Sequence, residues 1–413
     1  MADKAATGRD MSVPESPYAW FRLIVSLVLA TAGSVGTWSV VVVLPAVQAE
    51  FGVARGGASL PYTATMLGFA FGSVFMGRLA DRVGIVVPAV ISALALGGGY
   101  ALAAFTTSLW QFALVQGLLI GMLGSSAMLG PLVADISHWF TRRRGVAVGI
   151  AATGSYLAGA VWPPFIQPFV ASAGWRATYI GIGLVCLVVM LPLTLALRRP
   201  VPHQPTTTRA GGSAGVIATL SPNALQMLLV VAGIACCLAM SMPQVHIVAY
   251  CSDLGYGVAR GAEMLALMLG LGVVSRLASG WISDRIGGVR TLLLGSTLQC
   301  ATLLLYLPFD GLMSLYVVSA LFGLSQGGIV PSYAMIVREY MPPREAGTRV
   351  GVVLMATILG MAAGGWLSGL IYDLTGSYRA AFLHGIGWNL VNMAIAIWLL
   401  FHRPTATAGA ASR

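Results

Sequence analysis

Arg276 is the residue in this chain whose charge agrees least with its surroundings, and chemistry is sought there first. It stands in the otherwise apolar run Met268–Asp284, MLGLGVVSRLASGWISD. A guanidinium among apolar side chains is costly unless it meets water, a carboxylate or a cavity. Toward the start of the same helix the nearest acid is Glu263, 13 residues away, which is about 20 Å of helical rise. Asp284 is nearer but belongs to a loop motif described below. A planar, permanently charged fork in such a place suits a carboxylate, which it can hold bidentately. Two other roles are open to it: pairing with an acid on another helix, or snorkelling to the nearest polar surface.

Two further stretches carry polar groups at helical spacing. In Ala239–Asp253, AMSMPQVHIVAYCSD, Pro243 interrupts the backbone hydrogen bonding, and Pro243, His246 and Tyr250 share one face. His246 could donate to a bound carboxylate or titrate with it, or serve as a packing histidine; Gln244 lies beside it. In Ser325–Val337, SQGGIVPSYAMIV, the glycines and Pro331 permit irregular packing, and Gln326 and Tyr333 could face a polar cavity or simply sit in a kinked helix. The candidate substrate contacts are therefore Arg276, His246, Tyr250, Gln326 and Tyr333, with His246 and Arg276 the candidates for proton coupling. No catalytic constellation of Asp, His and Cys stands out, so an enzyme is not expected. Five cysteines, an odd number without metal-ligand spacing, argue against a disulfide framework and a zinc site alike. No cofactor and no metal are implied.

These residues must be held by elements that live in lipid. Of 413 residues, 57% are hydrophobic and 9% charged, with a mean hydropathy of +0.85, too apolar for a surface facing water. Apolar stretches of about 20 residues cross a bilayer as helices. Twelve are expected, at 21–45, 60–79, 86–105, 109–133, 145–170, 178–197, 225–250, 264–282, 291–307, 312–337, 347–371 and 381–400. The fold class is all-α and polytopic, in two six-helix bundles. A tail (1–20), a first bundle (21–197), a Pro-, Thr- and Gly-rich linker (198–223), a second bundle (224–401) and a second tail (402–413) make up the chain. Close packing is the expected use of Gly117, Gly121, Gly124, Gly149, Gly154 and Gly159.

With the N-terminus placed inside, 18 of the 23 Lys and Arg residues fall on the inner side, Arg22 among them, and Arg55, Arg176, Arg260 and Arg379 on the outer. Only Arg276 lies clearly within a span. Both termini are then cytoplasmic. The basic residues sit in the breaks between helices, so the formal charge of +10 points to anionic lipid headgroups rather than nucleic acid.

An internal repeat supports the two halves: GRLADRVG at Gly77–Gly84 is echoed by GWISDRIG at Gly280–Gly287, 203 residues on. Repeats of this kind accompany alternating access around a central site. The two segments resemble the loop motif of the major facilitator superfamily, and the helix count and half-to-half spacing extend that resemblance over essentially the whole chain. It implies a cytoplasmic gating role for Gly77, Asp81, Arg82, Gly84, Gly280, Asp284, Arg285 and Gly287, beside the plainer one of holding topology.

His138–Gly159, HWFTRRRGVAVGIAATGSYLAG, is similar to the start of the fifth helix in the monocarboxylate transporter branch and related bacterial carboxylate and oxalate/formate carriers. Trp139, Phe140, Arg142, Arg143, Arg144, Gly145, Gly149, Gly154 and Gly159 carry the match. In that branch Arg276 stands where a substrate-binding arginine is common. The lead-in to helix 1 is reduced to ESPYAW, Glu15–Trp20; Gly272 replaces the acid that proton-coupled animal carriers place one turn before the arginine; and the sole lysine, Lys4, lies outside the spans. The resemblance implies proton-linked secondary transport of a small monocarboxylate such as L-lactate or pyruvate, by a monomer in the cell membrane, a bacterial inner membrane. Exchange of organic anions or dicarboxylates, or a transporter-like membrane sensor, are the alternatives. A single central cation matches a monovalent substrate better than a divalent one, because Arg349 lies near the inner end of helix 11.

Overall fold

In a computed structural model the described residues are 15–199, 221–341 and 345–402, and they are helical with no strand among them. In chain order the helices are α1 (Pro17–Gly33), α2 (Val35–Phe51), α3 (Arg55–Val83), α4 (Val86–Ala104), α5 (Leu109–Val115), α6 (Gly130–Trp139), α7 (Arg144–Ala152) and α8 (Gly154–Leu195). Then follow α9 (Pro222–Asp253), α10 (Val258–Ile286), α11 (Gly288–Leu305), α12 (Leu312–Gln326), α13 (Ile329–Tyr340), α14 (Ala346–Thr375) and α15 (Tyr378–Phe401). Most of the first tail, the linker and the second tail lie outside the described residues, as do Lys4 and Arg344.

Ten helical stretches among the described residues are long and apolar enough to cross a membrane. The expected span at 60–79 lies within α3, a 29-residue helix that is not one of the ten. The spans expected at 145–170 and 178–197 lie in one continuous stretch, Gly145–Leu195, interrupted where Gly174 turns to φ 80°. Phe71, Leu118, Val188, Val274 and Leu390 are exposed in mid-helix. A contiguous apolar exterior of this extent is soluble only in lipid, so the chain is a multi-pass membrane protein.

Two compact units are found. One contains the described residues up to 199 together with Ile247–Gly270; the other contains residues 221–246 and those from Leu271 onward. The segment Ile247–Gly270, assigned by chain order to the second half, clusters with the first.

Within the first unit, the span expected as one helix at 109–133 is irregular. It leaves α5 for a π-helical run, Gln116–Gly124, and a tight 3-10 turn, Ser125–Met128, before α6. The cause is close backbone packing against α3: a Cβ at Gly68 would stand 1.9 Å from the Gly117 carbonyl oxygen, one at Gly72 2.2 Å from that of Met122, and one at Gly121 2.5 Å from that of Thr65. Within the second unit the span expected at 312–337 breaks in the same manner, between α12 and α13 at Gly327 and Gly328. A Cβ on Gly327 would lie 2.3 Å from the Gly272 carbonyl oxygen and 2.7 Å from the Arg276 amide nitrogen.

Candidate functional site

The break between α12 and α13 brings Arg276 into a polar setting. Arg276, partly buried on α10, donates from Nε to the Gly327 carbonyl at 3.3 Å. The preceding residue, Gln326, is fully buried, and Gln244 of α9 donates to its side-chain oxygen. The end of α12 thus meets α10 through the Gly327 carbonyl and α9 through the Gln326 side chain. Gln244, placed beside His246 by the sequence, finds its partner 82 positions away.

The other candidate contacts go elsewhere. His246 is fully buried, with Nε2 2.8 Å from the Gly365 carbonyl oxygen of α14 and its ring 6.1 Å from that of Tyr378. Tyr333 donates to Asn392 of α15 at 2.8 Å, and Asn392 in turn donates to Ser296 of α11 at 2.7 Å. Tyr250, nearly buried, belongs to the first unit through the segment Ile247–Gly270. His246 and Tyr250 both lie on α9, four residues apart.

The two loop motifs adopt one backbone. Gly84 has φ 80° and ψ 168°, Gly287 φ 83° and ψ 164°, a left-handed conformation that a side chain would oppose. Asp81, Arg82, Asp284 and Arg285 are all exposed, and neither Gly77 nor Gly280 has an atom within 4 Å of where a Cβ would stand. In the first unit Gly77, Asp81 and Gly84 line a cavity of about 520 Å³ with Ser73, Asp135 and His138. In the second, Arg285 lies 3.3 Å over the Trp281 ring, and Glu339 of α13 accepts the Gly288 N–H at 2.9 Å.

The lead-ins of α1 and α7 pack on each other in the first unit. Trp139 and Phe140 are buried with Ala19, Leu23, Ala147 and Ala151. Glu15, at φ 63°, donates its N–H to the Trp139 carbonyl at 2.9 Å and accepts the Arg143 N–H on its carboxylate at 2.7 Å. The Arg143 N–H beside it holds the Glu15 carboxyl below the usual carboxylate range, aided by the neighbouring backbone N–H groups of Arg142 and Thr141. Arg142 and Arg143 are exposed, and the Arg143 guanidinium stands 5.9 Å from the Trp20 ring centre; the side chain of Arg144 lies outside those described. Of the motif glycines, Gly149 has open space, Gly154 abuts Ala30, and Gly159 abuts Leu269 and Trp38.

Arg22, counted with the inner-side basic residues, is held inside the protein. It is 1% exposed and forms a fork on Asp135 of α6, from Nε at 2.8 Å and Nη2 at 2.9 Å. Its remaining nitrogen reaches the Leu197 and Arg199 carbonyls beyond the end of α8. α1 begins at Pro17, four residues before the expected span.

The model of the Major Facilitator Superfamily matches residues 26–348 and again 274–413. The chain belongs to the Major Facilitator Superfamily. It is 28% identical to monocarboxylate transporter 13 of Bos taurus over 361 residues, covering 84% of this chain and 82% of that protein. To monocarboxylate transporter 13 of Rattus norvegicus it is 29% identical over 348 residues, covering 83% and 78%. Among solved structures the nucleoside transporter NupG superposes with a TM-score of 0.71 at 14% identity, over 92% of this chain and 99% of that one, a likeness of fold alone.

Superfamily membership makes the chain a secondary transporter rather than an enzyme. What this transporter offers chemically is recognition without covalent change. Arg276 carries a planar guanidinium against the break, and Gln326, next to the break in the chain, pairs with Gln244 through their side-chain amides.

Proposed function

We propose that this superfamily member carries a small monocarboxylate of the L-lactate or pyruvate class by alternating access, within the monocarboxylate transporter branch. The observation that carries the reading is the position of Arg276, midway along an apolar helix and against the break at Gly327. The similarity to monocarboxylate transporter 13 of two mammals supports the branch, as does the packing of the Trp139–Arg143 lead-in on Glu15–Trp20.

In this reading the carboxylate docks on the Arg276 guanidinium, with Gln244 and Gln326 beside it. His246 and Tyr333 act from α14- and α15-facing positions, and Tyr250 from α9. Twelve spans in two six-helix halves reorient around the site, and the exposed loop motifs at Asp81–Gly84 and Asp284–Gly287 act as gates. The carrier works as a monomer in a bacterial inner membrane, both termini cytoplasmic, and symports a proton through His246 or the substrate carboxylate. A dicarboxylate is less favoured because Arg349 is engaged by Glu345, Gln226 and Asn223 at the start of α14.

Purified protein in liposomes, given lactate, pyruvate, oxalate, formate and aromatic acids, tests the reading. Arg276→Ala should abolish uptake and Arg276→Lys reduce it at least tenfold, since Lys keeps the charge but not the fork. Unchanged affinity and flux in both variants, or no uptake of any member by folded wild type, would overturn it.

A further inference from the structure

The two copies of the loop repeat differ, and the differences gather at one end of the second unit. Where the first copy has Arg78 and, past the turn, Val87, the second has Trp281 and Arg290, each 203 positions on. The common turn accounts for the shared glycines Gly84 and Gly287; it does not account for Trp281 or Arg290. Trp281 is 61% exposed. An indole left open on a membrane helix, close to its polar end, suits the depth where hydrocarbon meets headgroups.

Exposed apolar stripes lead to this end on both helices. On α10, Val274, Leu277 and Trp281 are each more than half exposed and precede Arg285 at helical spacing, so they share its face. On α11, Leu294 and Leu298 are exposed at four-residue steps from the exposed Arg290. Val274 to Arg285 is 11 residues, about 16 Å of helix, close to one leaflet of a hydrocarbon core about 30 Å thick. The α10 stripe is thus apolar over one acyl-chain length and ends in a cation. The arginines there are uncommitted. The Arg285 guanidinium lies 3.3 Å from the centre of the Trp281 ring, with Nη1 3.5 Å from the Trp281 carbonyl oxygen. Neither Arg285 nor Arg290 joins an ion pair among the described residues. Glu339 accepts the Gly288 N–H at 2.9 Å, and Gly288 packs on Ile336, so the end of α13 is held on the turn and brings the exposed Arg338 with it.

We propose that Trp281, Arg285 and Arg290 form a site for one anionic phospholipid, whose phosphate is taken by the two arginines and whose acyl chain lies along the α10 stripe. The site belongs to the second unit alone, and it depends neither on the substrate nor on how the carrier reorients. Stacking on the indole fixes the Arg285 guanidinium while leaving N–H donors for an oxyanion, an arrangement suited to phosphate. Charge selects the occupant. A zwitterionic lipid carries its own ammonium beside the phosphate and gains less from two cations than an anionic one does.

The full chain in phosphatidylcholine vesicles tests the site, with phosphatidylglycerol brominated on its acyl chains as the probe. Bromine quenches indole fluorescence at contact, and brominated phosphatidylcholine at the same mole fraction gives the baseline from the other tryptophans. Brominated phosphatidylglycerol should quench wild type beyond that baseline, and W281F should lose the excess. R290Q should raise the mole fraction needed for half of the excess about fivefold, the effect of one basic residue at an anionic surface. R285Q/R290Q should abolish the excess, and R78Q, at the place in the first half that corresponds to Trp281, should leave it intact. R290Q alters a single exposed side chain, so it decides the matter even if the double variant lacks a parent-like thermal transition. Soluble glycerol phosphate should not remove the excess. No excess in wild type, an excess unchanged in R290Q and in the folded double variant, an equal loss in R78Q, or removal by glycerol phosphate would each overturn the site.

Discussion

Arg276 and Arg22 illustrate what a charge in an apolar run reveals and what it hides. Arg276 was legible because nothing polar surrounds it in sequence for a full turn on either side but serine. Arg22 was not, because it stands five residues from the start of its helix, where a basic residue ordinarily meets water, and its partner Asp135 is 113 positions away. Removing that partner strands a buried guanidinium. Asp135→Ala is expected to destabilise the protein by about 3–5 kcal/mol, whereas replacing both residues by apolar ones of similar volume should cost much less. Thermal or denaturant unfolding in detergent reads the difference, and equal losses in both variants would contradict it. Glu15 makes a second prediction at this scale. Its carboxyl titrates below its ordinary range because backbone N–H groups favour the charged form, so the stability it lends is present above the unfolded value and is lost as pH falls through the lower, folded value. Glu15→Gln should therefore flatten the loss of stability on acidification below about pH 4.5 relative to wild type, followed as a thermal midpoint across pH. An acid limb identical in both proteins would remove Glu15 from that role.

At the scale of elements, the lengths of the apolar runs and the repeated loop motifs were readable, down to the shared left-handed glycines at Gly84 and Gly287. The interruptions were not. Period and composition treat residues 109–133 as one helix, but the π-helical run at Gln116–Gly124 arises from the backbone of α3 pressing on Gly117, Gly121 and Met122. That contact is a tertiary fact with no local signal beyond the glycines themselves. Glycine spacing also fails to say which glycine is obligatory. Gly121 has a carbonyl oxygen 2.5 Å from its would-be Cβ, while Gly149 has nothing within 4 Å. Gly121→Ala should cost about 1–3 kcal/mol by overpacking, and Gly149→Ala should be neutral or stabilise by up to about 1 kcal/mol through helix propensity. Thermal midpoints of the two variants check this, and a reversed order would mean that α3 yields where the contact appears closest.

At the scale of the whole molecule, superfamily membership leaves the energetics of transport to be decided by charge balance. A monocarboxylate moving with one proton carries no net charge. Its accumulation then answers to a pH gradient, about tenfold for each pH unit, since about 1.4 kcal/mol separates each factor of ten. The same carboxylate moving alone as an anion would answer to voltage instead, at about 2.3 kcal/mol for each 100 mV, close to a fiftyfold effect. One-for-one anion exchange would answer to neither and would need a counter-anion inside the vesicle. Position 272 is a glycine and the sole lysine is Lys4, so on the proposed symport the proton travels on His246 or on the substrate itself. Uptake of the preferred monocarboxylate into vesicles with pH and electrical gradients imposed separately should therefore respond to pH and be flat in voltage. His246→Gln, which keeps a donor toward the Gly365 carbonyl, decides between the two routes. Loss of the pH response with exchange retained assigns the proton to His246; an unaltered pH response assigns it to the substrate; and a voltage response in wild type rules out electroneutral symport.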